Sequence, residues 1–251
     1  MIYNDFETIA NTVVCREQTA EFFQSSLRGT GIDVRFAPSK TIEPRGRSAQ
    51  ELSECPDVNR VLDSLRFPLI VKPRISAILS HCHDMVIVSS KEYFFVVLSL
   101  PMYCFLLEDT ILIQEYFENH YETLLKLYVV GDRSAVAKRP SIPKKWVDKE
   151  LLQKGYVAVN REMQPDEPFQ HKPEKLVISE ESEEMLRQLT RLINSKLGLH
   201  IIGLDLCCNQ SDRKFYIFDC NFFSSYEDAF YEYNLGDLIL DAMKPEYQKL
   251  K

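Results

Sequence analysis

The 251-residue chain lacks any apolar run of about 18 residues, the length at which a stretch becomes a candidate membrane span. Its first ten residues, MIYNDFETIA, also lack the basic start and the apolar stretch of a secretory signal peptide. These two absences argue against a membrane-spanning or secreted protein. We therefore expect a cytoplasmic protein with no membrane span.

Cysteine pairs at metal-binding or redox spacing are also missing. The seven cysteines are scattered, and none of them belongs to a CxxC pair. His81, Cys82 and His83 form an isolated HCH cluster with no second ligand pair at a suitable spacing, which argues against a zinc site. The cysteines are interpreted as reduced thiols that mostly fill the core. Glycine is scarce as well, with only eight residues, few for an enzyme built on flexible phosphate-binding loops.

An excess of positive charge is absent, because 30 Lys and Arg residues face 37 Asp and Glu residues, for a net charge of −7. This balance argues against nucleic acid as a partner, since nucleic-acid binding favours a basic surface. It still permits a local basic pocket, because many cations are concentrated in the middle of the chain. They are Lys72, Arg74, Lys126, Arg133, Lys138, Arg139, Lys144 and Lys145.

Hydrophobic periodicity predicts an α+β fold. The clearest element is a helix over residues 179–198, with acidic residues at its start and Gly198 at its end. Its apolar stripe consists of Met185, Leu186, Leu189, Leu192, Ile193 and Leu197. The other predicted elements are helices over 5–28, 57–65 and 235–243, a hairpin over 124–141, one or two strands within 104–117, and strands over 67–74, 84–90, 201–208 and 214–222. Residues 143–178 are polar, contain several prolines and show no clear pattern.

Two carboxylates interrupt apolar strands near the end of the chain. Asp205 lies within IIGLDLCC, while Asp219 and Asn221 lie two residues apart within YIFDCNFF, on one face of that strand. A buried carboxylate is costly unless a partner compensates its charge. A divalent metal that carries nucleotide phosphates would compensate it, because Mg²⁺ prefers oxygen ligands. The alternative is that these are polar residues at strand ends whose hydrogen bonds are satisfied by turns.

Several stretches match one known family in order and in approximate spacing: FPLIVKPR, SHCHDMVIV, IQEYFENHYETLLKLYVVGDRSAVAKRPS, GLDLCC and YIFDCNFFSSYEDAF. Across residues 5–240 the chain resembles the inositol 1,3,4-trisphosphate 5/6-kinase (inositol-tetrakisphosphate 1-kinase) family. The resemblance implies the ATP-grasp fold, in which two lobes sandwich the nucleotide. It places an N-terminal helical segment at 1–66, a small lobe at 67–117 and a C-terminal lobe with the metal site at 118–251. It also implies that the N-terminal domain usual in the family is missing.

The resemblance further implies an activity, the ATP-dependent phosphorylation of a hydroxyl of an inositol polyphosphate, with these two molecules as partners of a monomer. Mg²⁺ would be held by Asp205, Asp219 and Asn221. The matching nucleotide-binding positions are Arg16, Lys72, Gln114, Glu115, Tyr116, Phe117, Arg139 and Ser141. The matching substrate-binding positions are His83, Lys126, Asn221 and Ser225, of which His83 and Lys126 are the candidate catalytic residues.

Each of these residues has a simpler interpretation when the resemblance is set aside. Lys72 ends an apolar strand, from which a lysine can extend its ammonium group to the surface. Arg16 could be an ordinary charge on a helix surface, and strand alternation could point Lys126 to water. His83 could be a solvated histidine in a polar loop, and Gln114 an ordinary residue at a strand end.

Two departures from the family pattern weaken the case for inositol specificity. The loop at 75–83, ISAILSHCH, has no glycine and carries Ala77 about where the family has a first histidine. Ser224 and Ser225 stand where a Pro-Gly pair follows the metal-binding asparagine in the family. Two alternatives therefore stay open: a nucleotide-binding protein without turnover that senses nucleotide or scaffolds a partner, and a carboxylate–amine ligase, which shares the ATP-grasp fold.

Overall fold

The computed structural model describes residues 14–75, 84–107, 110–117, 124–131, 133–139, 144–159, 179–198, 200–222, 237 and 239–240. In chain order its elements are α1 (Arg16–Ser26), β1 (Val34–Phe36), β2 (Ser39–Ile42), α2 (Ala49–Ser53), α3 (Pro56–Asp63), β3 (Leu69–Pro73), β4 (Met85–Val88), α4 (Lys91–Leu98), a 3₁₀ helix (Pro101–Leu107), β5 (Ile111–Glu115), β6 (Leu124–Val130), β7 (Arg133–Arg139), α5 (Lys144–Lys154), β8 (Tyr156–Val159), α6 (Glu180–Leu197), β9 (Ile201–Cys208) and β10 (Phe215–Phe222). These elements confirm the predicted α+β class. None of the described helices is both long and apolar enough to cross a membrane.

The first sheet has the strand order β2–β5–β3–β4–β8. One of its faces, which includes Leu69 and Val71, packs against α2, α3, α4 and the 3₁₀ helix. The opposite face carries a smaller apolar cluster that includes Ile70 and receives α5. Lys72 and Gln114 lie on this second face, because Gln114 is the cross-strand partner of Ile70 and side chains alternate along β3. The first sheet therefore presents two polar side chains on the face that its larger core leaves free.

The second sheet has the strand order β1–β10–β9–β6–β7. Helices α1 and α6 cover one face, where Phe23 and Leu189 join a core that includes Leu204 and Leu206 of β9. Burial of this apolar surface is the main force that holds the helices on the sheet. Since Asp205 lies between Leu204 and Leu206, alternation turns its side chain to the face that the helices do not cover.

Each sheet combines strands from distant parts of the chain. Strands β1 and β2 both lie within the predicted segment 1–66, yet β1 joins the second sheet and β2 the first. Strand β8 lies within the predicted C-terminal lobe at 118–251, yet it pairs with β4 of the first sheet. The chain thus passes between the two sheets more than once. The segment limits at 66 and 117 stay a prediction.

Most of the long predicted elements are confirmed. The hairpin over 124–141 corresponds to β6 and β7, and the helix over 179–198 corresponds to α6. Of the one or two strands predicted within 104–117, the described residues form one, β5, while residues 104–107 belong to the 3₁₀ helix Pro101–Leu107. Tyr103 and Leu106, three residues apart, are both buried, which matches the three-residue turn of a 3₁₀ helix.

Three of the described α-helices, α2, α4 and α5, were not predicted from the sequence. Helix α4 consists of KEYFFVVL, in which aromatic and β-branched residues have weak helix propensity. Its first turn is capped by Ser90, whose hydroxyl accepts a hydrogen bond from the N–H of Tyr93. Helix α5 lies in the polar region 143–178 that showed no pattern. The start of the predicted helix over 5–28, and most of the one over 235–243, lie outside the described residues.

Replacing Gly198 with alanine is expected to lower the free energy of unfolding by about 1 kcal/mol. Gly198 ends α6 in the left-handed conformation, with φ 61°, and its N–H donates to Asn194 O. In the described part of the chain, nothing lies within 4 Å of the added Cβ, so the cost is conformational rather than steric. Urea unfolding measures the loss, and Gly198→Asn should lose less because asparagine tolerates this conformation. Equal stability of Gly198→Ala and wild type would contradict the prediction.

Candidate functional site

Side chains from three adjacent strands of the second sheet meet on the face that the helices leave uncovered. Lys126 in β6 is the cross-strand partner of Asp205 in β9, and Asp205 is the partner of Asp219 in β10. Asn221, two residues after Asp219 in β10, pairs with Gly203, two residues before Asp205 in the antiparallel strand β9. The structure therefore brings the three predicted metal ligands together with Lys126.

A β-bulge in β10 sets the direction of the Asp219 side chain. Ile217 packs in the core of the second sheet, and the register shifts between Ile217 and Asp219, so that Phe218 has no cross-strand partner. Strict alternation from Ile217 would have turned Asp219 into the core. The extra residue turns Asp219 toward Asp205 and places Cys220 in the core instead.

Asp205 is held from two sides by protein groups. Lys126 Nζ lies 3.1 Å from its Oδ1, and Asn221 Nδ2 donates to its Oδ2 at 3.2 Å. Burial raises the pKa of the Asp205 carboxyl, and the charge of Lys126 opposes this effect. The Lys126 side chain is only 16% exposed, which excludes the alternative that it points to water.

Lys72 is a second cation of the site and comes from the first sheet. It is only 4% exposed, so the alternative of a lysine that extends to the surface is excluded. Its Nζ donates to Gln114 Oε1 at 2.6 Å and to the carbonyl oxygen of Phe218 at 3.3 Å, across the junction of the two sheets. Burial lowers the pKa of the Lys72 ammonium to about 8, partly offset by the charge of Asp219.

Arg16 is the third cation, and it joins the first turn of α1 to the first sheet. Its backbone N–H donates to Arg74 O at 2.9 Å. In its side chain, Nη1 donates to Pro73 O at 2.7 Å and to Ile75 O at 3.3 Å. Its Nη2 lies 3.7 Å from Asp219 Oδ2. With 3% exposure it is not an ordinary surface charge. Since α1 packs on the second sheet, Arg16 connects both sheets to the carboxylate cluster.

The predicted nucleotide-binding stretch from Gln114 to Phe117 lies where the sheets meet. In the resembling family this stretch would contact the adenine edge through its backbone. The Phe117 ring centroid lies 4.7 Å from that of Tyr216 and 5.7 Å from that of Phe218. The N–H groups of residues 115 and 116 already donate to protein carbonyls. The Glu115 carboxylate accepts from a backbone N–H at position 66. Backbone contacts to adenine would therefore depend on the N–H of Phe117 and on carbonyl oxygens, and this role stays a prediction.

Gln114 is fully buried, and its side-chain amide takes part in the site in addition to its backbone. Its Oε1 accepts from Lys72, while its Nε2 is buried with no hydrogen-bond partner among the described residues. A buried amide donor without an acceptor is costly. The orientation of this side chain thus leaves one donor available at the junction of the sheets.

Four predicted site residues have side chains outside the described part of the chain, and the roles of the other predicted site residues also stay predictions. His83, Ser141 and Ser225 lie outside the described residues, and so does the side chain of Arg139, whose backbone ends β7. Their predicted roles stay predictions. In contrast, Phe218 was missed as a site residue. Its carbonyl accepts from Lys72, and no local sequence pattern marks it, since its position depends on the bulge.

The donors at this cluster suit a hard divalent cation. Two adjacent carboxylates and an amide provide oxygen ligands, and Mg²⁺ is commonly bound by one or two carboxylates together with substrate phosphates. Within the described ranges, no three His, Cys, Asp or Glu side chains form a metal-binding group of their own. Asp205, Asp219 and Asn221 therefore fit a metal that shares its coordination with a bound ligand.

Substitution of Arg16 by glutamine is expected to lower the free energy of unfolding by about 2 kcal/mol, because buried acceptors lose charged hydrogen bonds. Arg16→Lys should recover only part of the loss, since an ammonium cannot reproduce the planar fork of a guanidinium. Arg28→Gln, an exposed arginine just beyond α1, is the matched control and should change little. Denaturant unfolding measures all three, and equal losses for the two glutamine variants would contradict a bridging role of Arg16.

The two-sheet architecture defines an ATP-grasp protein. A RimK domain ATP-grasp protein from Sphaerobacter thermophilus matches with a TM-score of 0.61 at 10% identity, covering 94% of this chain and 69% of that chain. The ATP-grasp ligase PsnB, in complex with minimal precursor, Mg and ADP, matches with a TM-score of 0.54 at 15% identity, covering 96% and 61%. At these identities the likeness establishes the fold, which confirms the predicted ATP-grasp class.

The sequence-family model that describes the inositol 1,3,4-trisphosphate 5/6-kinase ATP-grasp domain matches residues 48–241 of this chain. The chain therefore belongs to the inositol 1,3,4-trisphosphate 5/6-kinase family, as the sequence resemblance predicted. Inositol-tetrakisphosphate 1-kinase 4 of Oryza sativa subsp. indica is 27% identical over 189 residues, covering 72% of this chain and 50% of that protein. Inositol-tetrakisphosphate 1-kinase of Danio rerio is 25% identical over 169 residues, covering 65% and 39%. The chain thus spans half the length of these relatives or less.

Proposed function

We propose that the protein transfers the γ-phosphoryl group of ATP to a hydroxyl of an inositol polyphosphate, with Mg²⁺ as the metal. The observation that carries this proposal is the meeting of Asp205, Asp219 and Asn221 with three cations where the two sheets join. The family membership and the names of the relatives supply the substrate class.

The proposed nucleotide site combines residues from both sheets. Lys72 would donate to the phosphates, since its ammonium faces the carboxylate cluster from the first sheet. The rings of Phe117, Tyr216 and Phe218 would bound the region of the base. Arg139 and Ser141 are proposed to add phosphate contacts from the end of β7 and beyond.

Asp205, Asp219 and Asn221 would hold Mg²⁺ in this scheme. When bound, the metal would neutralise charge on the β- and γ-phosphates during transfer. The transition state of phosphoryl transfer is loose, so positioning and charge contribute more than a strong general base.

The inositol polyphosphate would be bound by cations at the edge of the same cluster. Lys126 would donate to one of its phosphates, and His83, Asn221 and Ser225 are proposed as further contacts. Phosphate-rich ligands need several such donors, because each phosphate oxygen that leaves water must gain a replacement hydrogen bond. We further propose that the protein works as a cytoplasmic monomer.

A nucleotide-binding role without turnover is the second candidate, and the sequence of the loop at 75–83 favours it. This stretch has no glycine, the residue whose backbone freedom best suits a loop that covers phosphates. A carboxylate–amine ligase is the third candidate, because solved ATP-grasp ligases share the fold.

Incubation of the protein with ATP, Mg²⁺ and a panel of inositol polyphosphates tests the proposal. ADP release that depends on an inositol polyphosphate, together with a more highly phosphorylated product on anion-exchange chromatography, is the expected result. A parallel panel of amino acids and acids tests for ligase activity, in which ADP release requires both a carboxylate and an amine. Nucleotide binding without product in either panel would favour the non-catalytic alternative and contradict the kinase proposal.

A further inference from the structure

Both carboxylate oxygens of Asp205 are engaged by protein groups. Oδ1 lies 3.1 Å from Lys126 Nζ, and Oδ2 accepts from Asn221 Nδ2 at 3.2 Å. The proposed function requires Asp205 as a metal ligand and Lys126 as a donor to a substrate phosphate. While the Lys126–Asp205 ion pair is intact, Asp205 is a weaker metal ligand and Lys126 is a weaker phosphate donor. The contact of Lys126 with Asp205 therefore competes with its contact with a substrate phosphate.

We propose that Lys126 is a built-in counter-ion for Asp205, which a divalent metal displaces and which then binds a phosphate of the substrate. This inference rests on the proposed function and adds the order of binding events: the metal binds first, and Lys126 then binds the phosphate. The ion pair compensates the Asp205 carboxylate before the metal binds, and release of Lys126 by the metal completes the anion-binding site.

The surroundings explain why Lys126, and not Asn221, is the group that leaves. Asn221 carries no charge, and its Oδ1 remains available as a ligand while its Nδ2 donates. Lys126 carries a positive charge, so a divalent cation on Asp205 and an ammonium at 3.1 Å from the same carboxylate repel each other. A second carboxylate, Asp219, lies beside Asp205 and adds to the attraction for the metal.

Other cations of the cluster are less free to exchange partners. Lys72 is held by Gln114 Oε1 and by a backbone carbonyl, and Arg16 is held by two backbone carbonyls besides its approach to Asp219. Lys126, at 16% exposure, lies nearer to solvent than either of them and has a flexible four-carbon stem. It is therefore the cation of the three that is best placed to move.

The exchange makes metal binding and substrate binding mutually favourable. A metal that frees Lys126 raises the affinity for the phosphate that Lys126 binds, and by linkage the phosphate raises the affinity for the metal by the same factor. The site would thereby bind an anionic substrate weakly until metal is present.

Titration with Mn²⁺ alone, without nucleotide, tests the proposal through metal binding rather than turnover. Lys126→Met should bind Mn²⁺ about tenfold more tightly than wild type, because the positive charge that competes with the metal for Asp205 is gone. Lys126→Arg keeps the charge and should bind Mn²⁺ like wild type. Electron paramagnetic resonance of free Mn²⁺ gives the dissociation constants, and circular dichroism verifies that each variant is folded.

A measurement on the wild type covers the case in which Lys126→Met does not fold. The rate at which an amine-reactive reagent modifies Lys126, followed by peptide mass spectrometry, should rise when Mn²⁺ is added, while the rate at Lys72 should not. A Lys126 rate that Mn²⁺ leaves unchanged, or a folded Lys126→Met variant with unchanged or weaker Mn²⁺ affinity, would overturn the inference.

Asp205→Asn in the same Mn²⁺ titration separates the inference from the function beneath it. Loss of Mn²⁺ binding in Asp205→Asn, without a gain in Lys126→Met, overturns only the counter-ion role. Wild-type Mn²⁺ affinity in Asp205→Asn overturns the proposed metal site and the inference with it.

Discussion

Asp219→Asn is expected to lower the rate of phosphoryl transfer at least about a thousandfold, because the metal site supplies several kcal/mol of charge stabilisation. The substitution keeps the size of the side chain but removes the charge that lies beside Asp205. Affinity for the Mg²⁺–ATP complex should fall with it, whereas affinity for metal-free ATP should hold or rise, since a negative charge near the phosphates is gone. Steady-state assays and calorimetric titrations measure both effects.

The matched control for this variant is Asp33→Asn, on an exposed aspartate next to the same sheet. Asp33 Oδ1 lies 2.9 Å from Lys214 Nζ at the surface, and Asp33 has no part in the proposed metal or substrate sites. A surface ion pair of this kind contributes little, so the control should keep wild-type turnover and stability. Wild-type turnover in Asp219→Asn would remove the metal site from the proposed mechanism.

Lys72→Met is expected to weaken nucleotide binding without lowering the stability of the fold. Loss of a charged hydrogen bond to phosphate should weaken nucleotide binding tenfold to about a hundredfold. The same change should leave the free energy of unfolding at pH 7 unchanged or raise it, by up to about 3 kcal/mol, because it removes a buried charge. Equilibrium nucleotide titration and urea unfolding give the two quantities. A purely structural lysine would lose stability and leave nucleotide affinity intact.

The pH dependence of Lys72 follows from its pKa, which burial lowers to about 8 from 10.5. The cost of the buried charge is complete below pH 8 and fades as the pH rises toward 10.5, so the stability difference between wild type and Lys72→Met should shrink over that range. Nucleotide affinity of the wild type should fall as the pH rises through about 8, because the ammonium loses its proton.

Lys72→Arg is the control for this pH effect, since a guanidinium stays charged throughout the range. The arginine variant should show a flat nucleotide-binding profile across pH 8, even if its affinity is lower because of its size. A wild-type profile as flat as that of the arginine variant would contradict the role of the Lys72 charge.

The long elements of the fold were predictable because their hydrophobic periodicity is strong and local. Helix α6 has an apolar stripe, acidic residues at its start and a glycine at its end, and strands β9 and β10 are apolar apart from a few polar residues. Helix α4 was not predictable in this way, because its aromatic and β-branched residues are typical of strands and its helical form depends on packing against the first sheet.

The candidate site was predictable in its residues and only partly in its contacts. Asp205, Asp219 and Asn221 stand out as polar groups in apolar strands. The simpler interpretations of Lys72 and Arg16 could be excluded only once burial was known, because lysine and arginine side chains are mostly exposed in proteins.

The sequence by itself determined which strands carry the carboxylates and which family the chain resembles, since both depend on residue types within short stretches and on the order of those stretches along the chain. The tertiary structure alone decided that Asp219 faces Asp205, because the bulge at Phe218 reverses the alternation counted from Ile217. It alone decided that Lys72 reaches the carbonyl of Phe218, 146 residues away. Such contacts depend on the register and the packing of distant strands, and no local pattern encodes either.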